Sequence, residues 1–353
     1  MPILLRQKPM SPGKNTIDWL KNEQLRIDPE WMIETPKGLT WWPGRHAQHI
    51  EVVGRETGPD GDVADYVRIR TDFLRNCQLN PMLNAGINLI IKNCTMAGPV
   101  FDKQTGDLGL CSIVRVHEGI RGWMAPLLSV AAMLQVLEAQ NLAPMVAELA
   151  GVETAESGHP DSGTREEPDE LVGGFAGILE ETGDAESGWR ASEFESALNQ
   201  CMQGPPALMA SGGGAGVTVE FPYGDFSSLC QFKGDEAHPI IGKGLLIKQT
   251  FPFHNLEENK TTNAALEMNR GELSKRPAGY GFGSYRHDGS CLHFTCFIPN
   301  AAYRAGFLPN LYFACAGRAQ ALSAVFTKND WSAPSQTKAR PRSALERMMD
   351  RFK

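Results

Sequence analysis

The sequence predicts an α+β protein of two lobes. Each lobe reads αβββαββα with an antiparallel sheet, and the two are expected to be related by a pseudo-twofold. Three observations lead there. A chain of 353 residues suits two domains, each large enough to bury its own core. Runs of period two alternate with runs of helical period in an order that occurs twice. The two occurrences also share residues in the same order: Ile69 and Phe73 answer Ile247 and Phe251, and "NAGINL" from Asn84 answers "NAALEM" from Asn263. Gly98, Phe101 and Asp107 answer Gly279, Phe282 and Asp288, and Arg121, Pro126 and Leu128 answer Arg304, Pro309 and Leu311. The step between partners drifts from 178 (69 to 247) to 183 (121 to 304), as loop insertions would make it. The expected division is a first lobe over 15–150, an acidic flexible linker over 151–192, a second lobe over 193–328 and a tail over 329–353.

In the first lobe, "TIDWLKNEQL" reads as a helix capped by Thr16. "GLTWW", "HIEVV" and "DYVRIRTDFL" read as strands. "NPMLNAGINLIIKN" has helical spacing, with Pro81 at a first-turn position. "GPVFDKQTGDLGLCSIVRV" forms a hairpin about Thr105-Gly106, and "WMAPLLSVAAMLQVLEAQ" a helix with Pro126 near its start. The second lobe repeats the series. "SEFESALNQCM" is helical, "GVTVEF", "SSLCQF" and "GLLIKQTFPF" are strands, and "TTNAALEMNRGEL" is a helix. A hairpin about Asp288-Gly289 and the helix of "FLPNLYFACAGRAQALSAVF" close it.

Residues 151–192 hold eleven acidic residues against Arg165 and Arg190, a local charge of about −9. Gly, Ser, Pro and the acids together dominate it, which predicts a segment unable to order itself. Only "LVGGFAGILEE" within it has the pattern of a docking helix. In the tail, Leu345, Met348, Met349 and Phe352 make one helical stripe. Ten residues do not hold a helix alone in water, so this stripe needs a surface on its own chain or on a partner. Arg340, Arg342 and Arg347 beside it would suit an acidic partner or the acidic linker.

The net charge of −7 argues against general nucleic-acid binding. The N-terminus lacks the basic-then-apolar order of a signal peptide. The uncharged run Gly122–Leu137 is shorter than a membrane span of ~18–20 residues. A cytoplasmic protein away from membranes is expected. Eight cysteines lie outside any CxxC pair and several sit in apolar runs, as small buried hydrophobes in a reducing compartment would. No metal or cofactor is expected.

The strand "GLLIKQTFPF", the helix "NAALEMNRGEL", the hairpin "GFGSYRHDGSCLHFTCFI" and the helix "LPNLYFACAGRAQAL" together resemble the type III secretion chaperone-like fold, including YbjN-type bacterial proteins. A weaker copy lies over 38–140. The likeness is one of element order and apolar pattern. It implies a binding scaffold whose two lobes mimic a dimer within one chain, an adaptor or chaperone-like protein of a bacterium. Chaperones of that fold are usually half this length.

The candidates for chemistry are few. "SGGGAG" from Ser211 leads into a strand, not a helix, so it reads as a flexible loop rather than a phosphate loop. His46 and His49 have close spacing but no third ligand near in sequence. Cys291 and His293 share a strand face with His287 across the hairpin, which keeps open an enzyme or small-ligand site in an inter-lobe cleft. The crowded aromatics of the second lobe favour another reading. Phe282, Tyr285, Phe294 and Phe307 are expected to contribute to a partner-binding patch, with Leu345, Met348, Met349 and Phe352 as a second anchor. The function expected is non-catalytic binding of another polypeptide, with membership of a larger assembly left open.

Overall fold

A computed structural model describes residues 11–58, 61–182, 188–201, 215–223, 226–252, 258–278 and 280–328. The first helix, α1 (Pro12–Trp19), starts earlier than expected. Ser11 caps it by accepting from the Lys14 amide, while Thr16 turns its hydroxyl back to the Pro12 carbonyl inside the helix. A π turn over Leu20–Gln24 continues it. Strands β1 (Met32–Thr35), β2 (Gly38–Trp41), β3 (Gln48–Thr57) and β4 (Val63–Arg75) follow. Asn80 caps α2 (Pro81–Asn93) by accepting from the Leu83 amide at 2.9 Å. Then come β5 (Gly98–Phe101), β6 (Leu108–Val116) and the 33-residue α3 (Glu118–Ala150), which ends on Gly151 in the left-handed region. By length and composition α3 would suffice to cross a membrane, yet much of it lies in the core, with Leu128, Ala131, Leu134 and Val146 fully buried.

Over 151–182 the acidic segment is built into the fold. β7 (Glu153–Thr154) pairs with β4, and α4 (Glu170–Thr182) buries Val172 and Leu179. This corrects the flexible linker read from composition, because composition does not show the partners supplied from elsewhere. Arg75 holds Glu153 at 2.8 Å, Arg45 holds Glu166 at 2.6 Å, and Arg165 binds both Asp169 and the Trp42 carbonyl. Trp42 donates to Ser157 and takes the His159 ring edge-on at 5.0 Å. The segment is a strap along the first lobe whose helix α4 also reaches the strand Gly242–Pro252 and the turn over Asn300–Ala302 of the second.

The second lobe comprises α5 (Ala191–Cys201), β8 (Gly216–Tyr223), β9 (Phe226–His238), β10 (Gly242–Pro252), α6 (Glu258–Leu273), β11 (Ser284–His287), β12 (Cys291–Pro299) and α7 (Phe307–Lys328). Both sheets are antiparallel. The first runs β1-β2-β3-β4-β6-β5 with β7 beside β4, and the second runs β11-β12-β10-β9-β8. Without β1 and β7, the first sheet has the order of the second.

Register makes the likeness residue-specific. One rung of the first sheet reads Trp41–Gln48–Thr71–Leu110–Pro99. Its counterpart reads Val219–Cys230–Gln249–Phe294–Tyr285. The expected match of Ile69 with Ile247 holds, since the first faces Ser112 and the second Cys296 at equivalent rungs. The expected match of Gly98 and Phe101 with Gly279 and Phe282 does not. Gly98 faces Cys111 as Ser284 faces Thr295, and Phe101 faces Leu108 as His287 faces Leu292. The second copy carries a longer lead-in to its hairpin strand, which a residue-by-residue reading of the sequence absorbed as identity.

The lobes meet through a pair of equivalent contacts. Ile113, two residues past the last β6 partner of β5, exchanges two backbone hydrogen bonds with Gly281, three residues before β11 (3.1 and 2.9 Å). Phe297, two residues past the last β12 partner of β11, donates to the carbonyl of Thr95, three residues before β5 (3.1 Å). Each lobe therefore offers the same strand position and receives the same lead-in segment, which is the pseudo-twofold relation in atomic terms. Close backbone approach makes Gly98 necessary here. A Cβ on it would stand 2.7 Å from the Gly283 carbonyl oxygen. Asn88 of α2 also donates to Thr262 of α6 (3.0 Å), and Trp123 packs edge-on against Tyr280.

Candidate functional site

The four lobe aromatics expected to meet a partner are inside. Phe282, Tyr285, Phe294 and Phe307 are all at most 2% exposed. Tyr285 donates its hydroxyl to Glu272, Phe294 lies under the Arg318 guanidinium at 3.5 Å, and Phe307 packs on Trp123 across the seam. Burial of each is worth about 1.5–3 kcal/mol, and the second lobe uses them as core. The expected tail anchors Leu345, Met348, Met349 and Phe352, with Arg340, Arg342 and Arg347, lie outside the described residues.

The Cys291–His293 suspicion resolves into a turn. His293 accepts or donates at both nitrogens, to the Thr250 hydroxyl at 3.0 Å and to the Asp288 carboxylate at 2.7 Å. Burial pushes the imidazole towards neutrality against the pull of Asp288. Burial would raise the Asp288 carboxyl, but the His293 bond and the Cys291 and Ser290 amides outweigh it and hold it far below the usual range. His287 accepts from the Gly289 amide at 3.0 Å. The imidazoles thus build the β11–β12 turn, while β12 reaches the other lobe at Phe297, further along the strand. In the first lobe His46 bonds the Asp72 carbonyl, and His49 bridges the Thr40 hydroxyl and the Asp72 carboxylate at 2.8 and 3.2 Å. Among the described residues no three His, Cys, Asp or Glu side chains gather as a metal group.

Among the described residues, buried polar groups lie under both closing helices and at the seam. In the first lobe, Gln48, Thr71, Gln135 and Ser112 form a neutral chain of hydrogen bonds of 2.8–3.0 Å. In the second, Arg318 pairs with Glu272 at 2.8 Å and with the Tyr280 carbonyl. At the seam, Glu138 of α3 accepts from the Thr95 amide and hydroxyl, both at 2.7 Å, and burial pushes its carboxyl up to about 7. Thr95 is the residue whose carbonyl receives Phe297, so Glu138 braces the inter-lobe contact from behind.

Described residues of both lobes build a hollow of about 260 Å³ at the seam. Leu79, Phe101 and Lys103 of the first lobe and Asn263, Ala264, Leu266 and Glu267 of α6 line it. Lys103 and Glu267 are ion-paired at 2.6 Å. Leu79 is 38% exposed, and Met82, in the first turn of α2, is 53% exposed. Met145 and Leu149 are exposed on the end of α3, which packs on α2 where Gly86 meets Val146. In the sequence Phe101 and the stretch from Asn263 stand out only as marks of the duplication, not as parts of one surface. Leu79 reads there as loop, and the hollow exists only once α6 is docked against the other lobe. No protein-family model, curated protein or solved structure matches this chain.

Proposed function

We propose that this chain is a non-catalytic scaffold that binds another polypeptide, anchored at the seam hollow. The carrying observation is an apolar hollow walled by both lobes, with its lining residue Leu79 exposed and Met82 exposed three residues further along the chain. Its volume of about 260 Å³ falls below the ~300–1,000 Å³ of small-molecule pockets and suits one or two apolar side chains. Large apolar residues left in water beside such a hollow are the usual mark of an interaction surface. The architecture supports the same reading. The duplicated αβββαββα plan resembles chaperone-like scaffolds that act as dimers, and one chain carrying both halves presents a single asymmetric version of that surface. Among the described residues that line the hollow, the ionisable side chains are Lys103 and Glu267, and they are paired.

The test is affinity capture from extracts of the native host, with quantitative mass spectrometry, comparing the full chain with Leu79→Asp/Met82→Asp. Ile240→Asp, at a position 49% exposed on the β9–β10 turn, is the control. A near-stoichiometric protein kept by the control and lost by the double variant is the expected result. A partner retained by the double variant moves the contact elsewhere, and no enriched protein in any arm overturns the scaffold reading.

A further inference from the structure

The second lobe holds a group of thiols that the seam does not use. β9 places Cys230 and α7 places Cys315 with their sulfur atoms 3.5 Å apart, and both are buried. Cys296 of β12 is a third buried thiol on the same side of the sheet, two strands from Cys230. The first lobe shows what these positions do elsewhere in the fold. Cys230 occupies the rung that Gln48 occupies in the first sheet. Gln48 donates its amide to the Ala132 carbonyl of α3 at 2.9 Å. Ala132 corresponds to Cys315, the same 183-residue step that separates Pro126 from Pro309. One lobe thus joins strand to closing helix by a hydrogen bond where the other sets two thiols face to face. In the second lobe the helix carbonyl is still satisfied, by Gln249 at 2.9 Å, so the thiols are free of that duty.

We propose that Cys230 and Cys315 are a reversible disulfide pair, oxidised by a hydroperoxide and reduced by a thiol. The Cys315 thiolate attacks one peroxide oxygen, breaking the O–O bond and leaving a sulfenic acid and hydroxide, which takes up the proton Cys315 released. Cys230 then attacks the sulfenic sulfur, the S–S bond forms and water leaves. The sum is two thiols and one hydrogen peroxide giving a disulfide and two waters. Cys230 donates its S–H to Cys315, and this bond, against burial and together with the Arg318 guanidinium one turn on, lowers the Cys315 thiol. Burial raises Cys230, the proton-bearing partner. Both sulfurs are shielded, so the oxidant reaches them in local openings and the reaction is slower than at the half-buried Cys94 and Cys291.

The full-length protein is treated with hydrogen peroxide, then denatured in N-ethylmaleimide, digested and analysed by mass spectrometry. The expected product is a peptide pair joined through Cys230 and Cys315, lost on dithiothreitol treatment before alkylation and absent from Cys230→Ser and Cys315→Ser. Cys296→Ser retains it. The oxidised protein melts at higher temperature, because the bond closes a long loop between β9 and α7. Alkylation at both Cys230 and Cys315 after oxidation overturns the proposal. So does over-oxidation at either without a crosslink, or a crosslink between Cys296 and Cys315. The parent protein alone decides these outcomes, whatever the variants do to folding.

Discussion

The two lobes put different chemistry at the same place in the same fold. Where α3 crosses its sheet, Gln135 joins Ser112 and Thr71 in a neutral network with no exposed member. The equivalent step along α7 lands on Arg318, which pairs with Glu272 and stacks on Phe294. Glu272 belongs to α6, the helix that also walls the seam hollow, so the ionic centre ties the closing helix to the interface. The neutral centre ties α3 to its own sheet and, through Ser112, to the Met96 carbonyl in the lead-in to β5. Register and strand order therefore persist while the polar core is rebuilt, provided every buried group finds a partner. The two solutions differ in how they fail. A neutral network loses one hydrogen bond at a time. An ion pair loses its compensation at once, leaving a charge in the core.

The largest effect is expected from Arg318→Ala. It leaves Glu272, 5% exposed, without its counter-ion and should cost about 3–5 kcal/mol in urea unfolding. A loss no greater than that of a neutral-network variant would erase the contrast between the lobes. Glu138→Gln comes next and sharpens it, because the corresponding step in α7 lands on Ala321 and the second lobe has no such carboxyl there. Burial raises the folded-state carboxyl from 4.5 to about 7, so the folded protein holds that proton more tightly than the unfolded chain. Its contribution is fully present below 4.5 and is lost as pH rises through 7. Replacing it with Gln should therefore help by about 2–3 kcal/mol more at pH 8 than at pH 5, seen as a pH-dependent gap in unfolding midpoints. A gap that does not change with pH would contradict the burial. Gln135→Leu should cost about 1–3 kcal/mol by leaving the Thr71 hydroxyl without its acceptor, measured the same way. The smallest effect belongs to Lys103→Ala. Its pair with Glu267 is half in solvent, and less than about 1 kcal/mol should be lost.

Much of this fold was legible because its elements carry local signals. Alternation in "DYVRIRTDFL", Asn80-Pro81 at a helix start and Asp288-Gly289 at a turn each act within a few residues, and the doubled order follows from them. What was not legible depends on distant partners. The acidic strap is ordered by Arg45, Arg75 and Trp42, more than seventy residues earlier in the chain, which composition does not register. The aromatics looked too numerous for one sheet face because Trp123 and the Arg318 guanidinium, which cover two of them, come from a lobe interface and a buried charge. The hollow was invisible for the same reason, being divided between residues 79–103 and 263–267.

The account stands on the reciprocal seam, and amide hydrogen exchange on the native protein tests it most directly. The amides of Ile113, Gly281 and Phe297 are bonded only across the lobes in the arrangement described. They should exchange as slowly as central strand amides such as Ile69 and Ile247. Exchange at the rate of exposed loops at these three positions, with the strand amides still protected, would mean two lobes that fold but do not dock, and the pseudo-twofold seam with its hollow would fall.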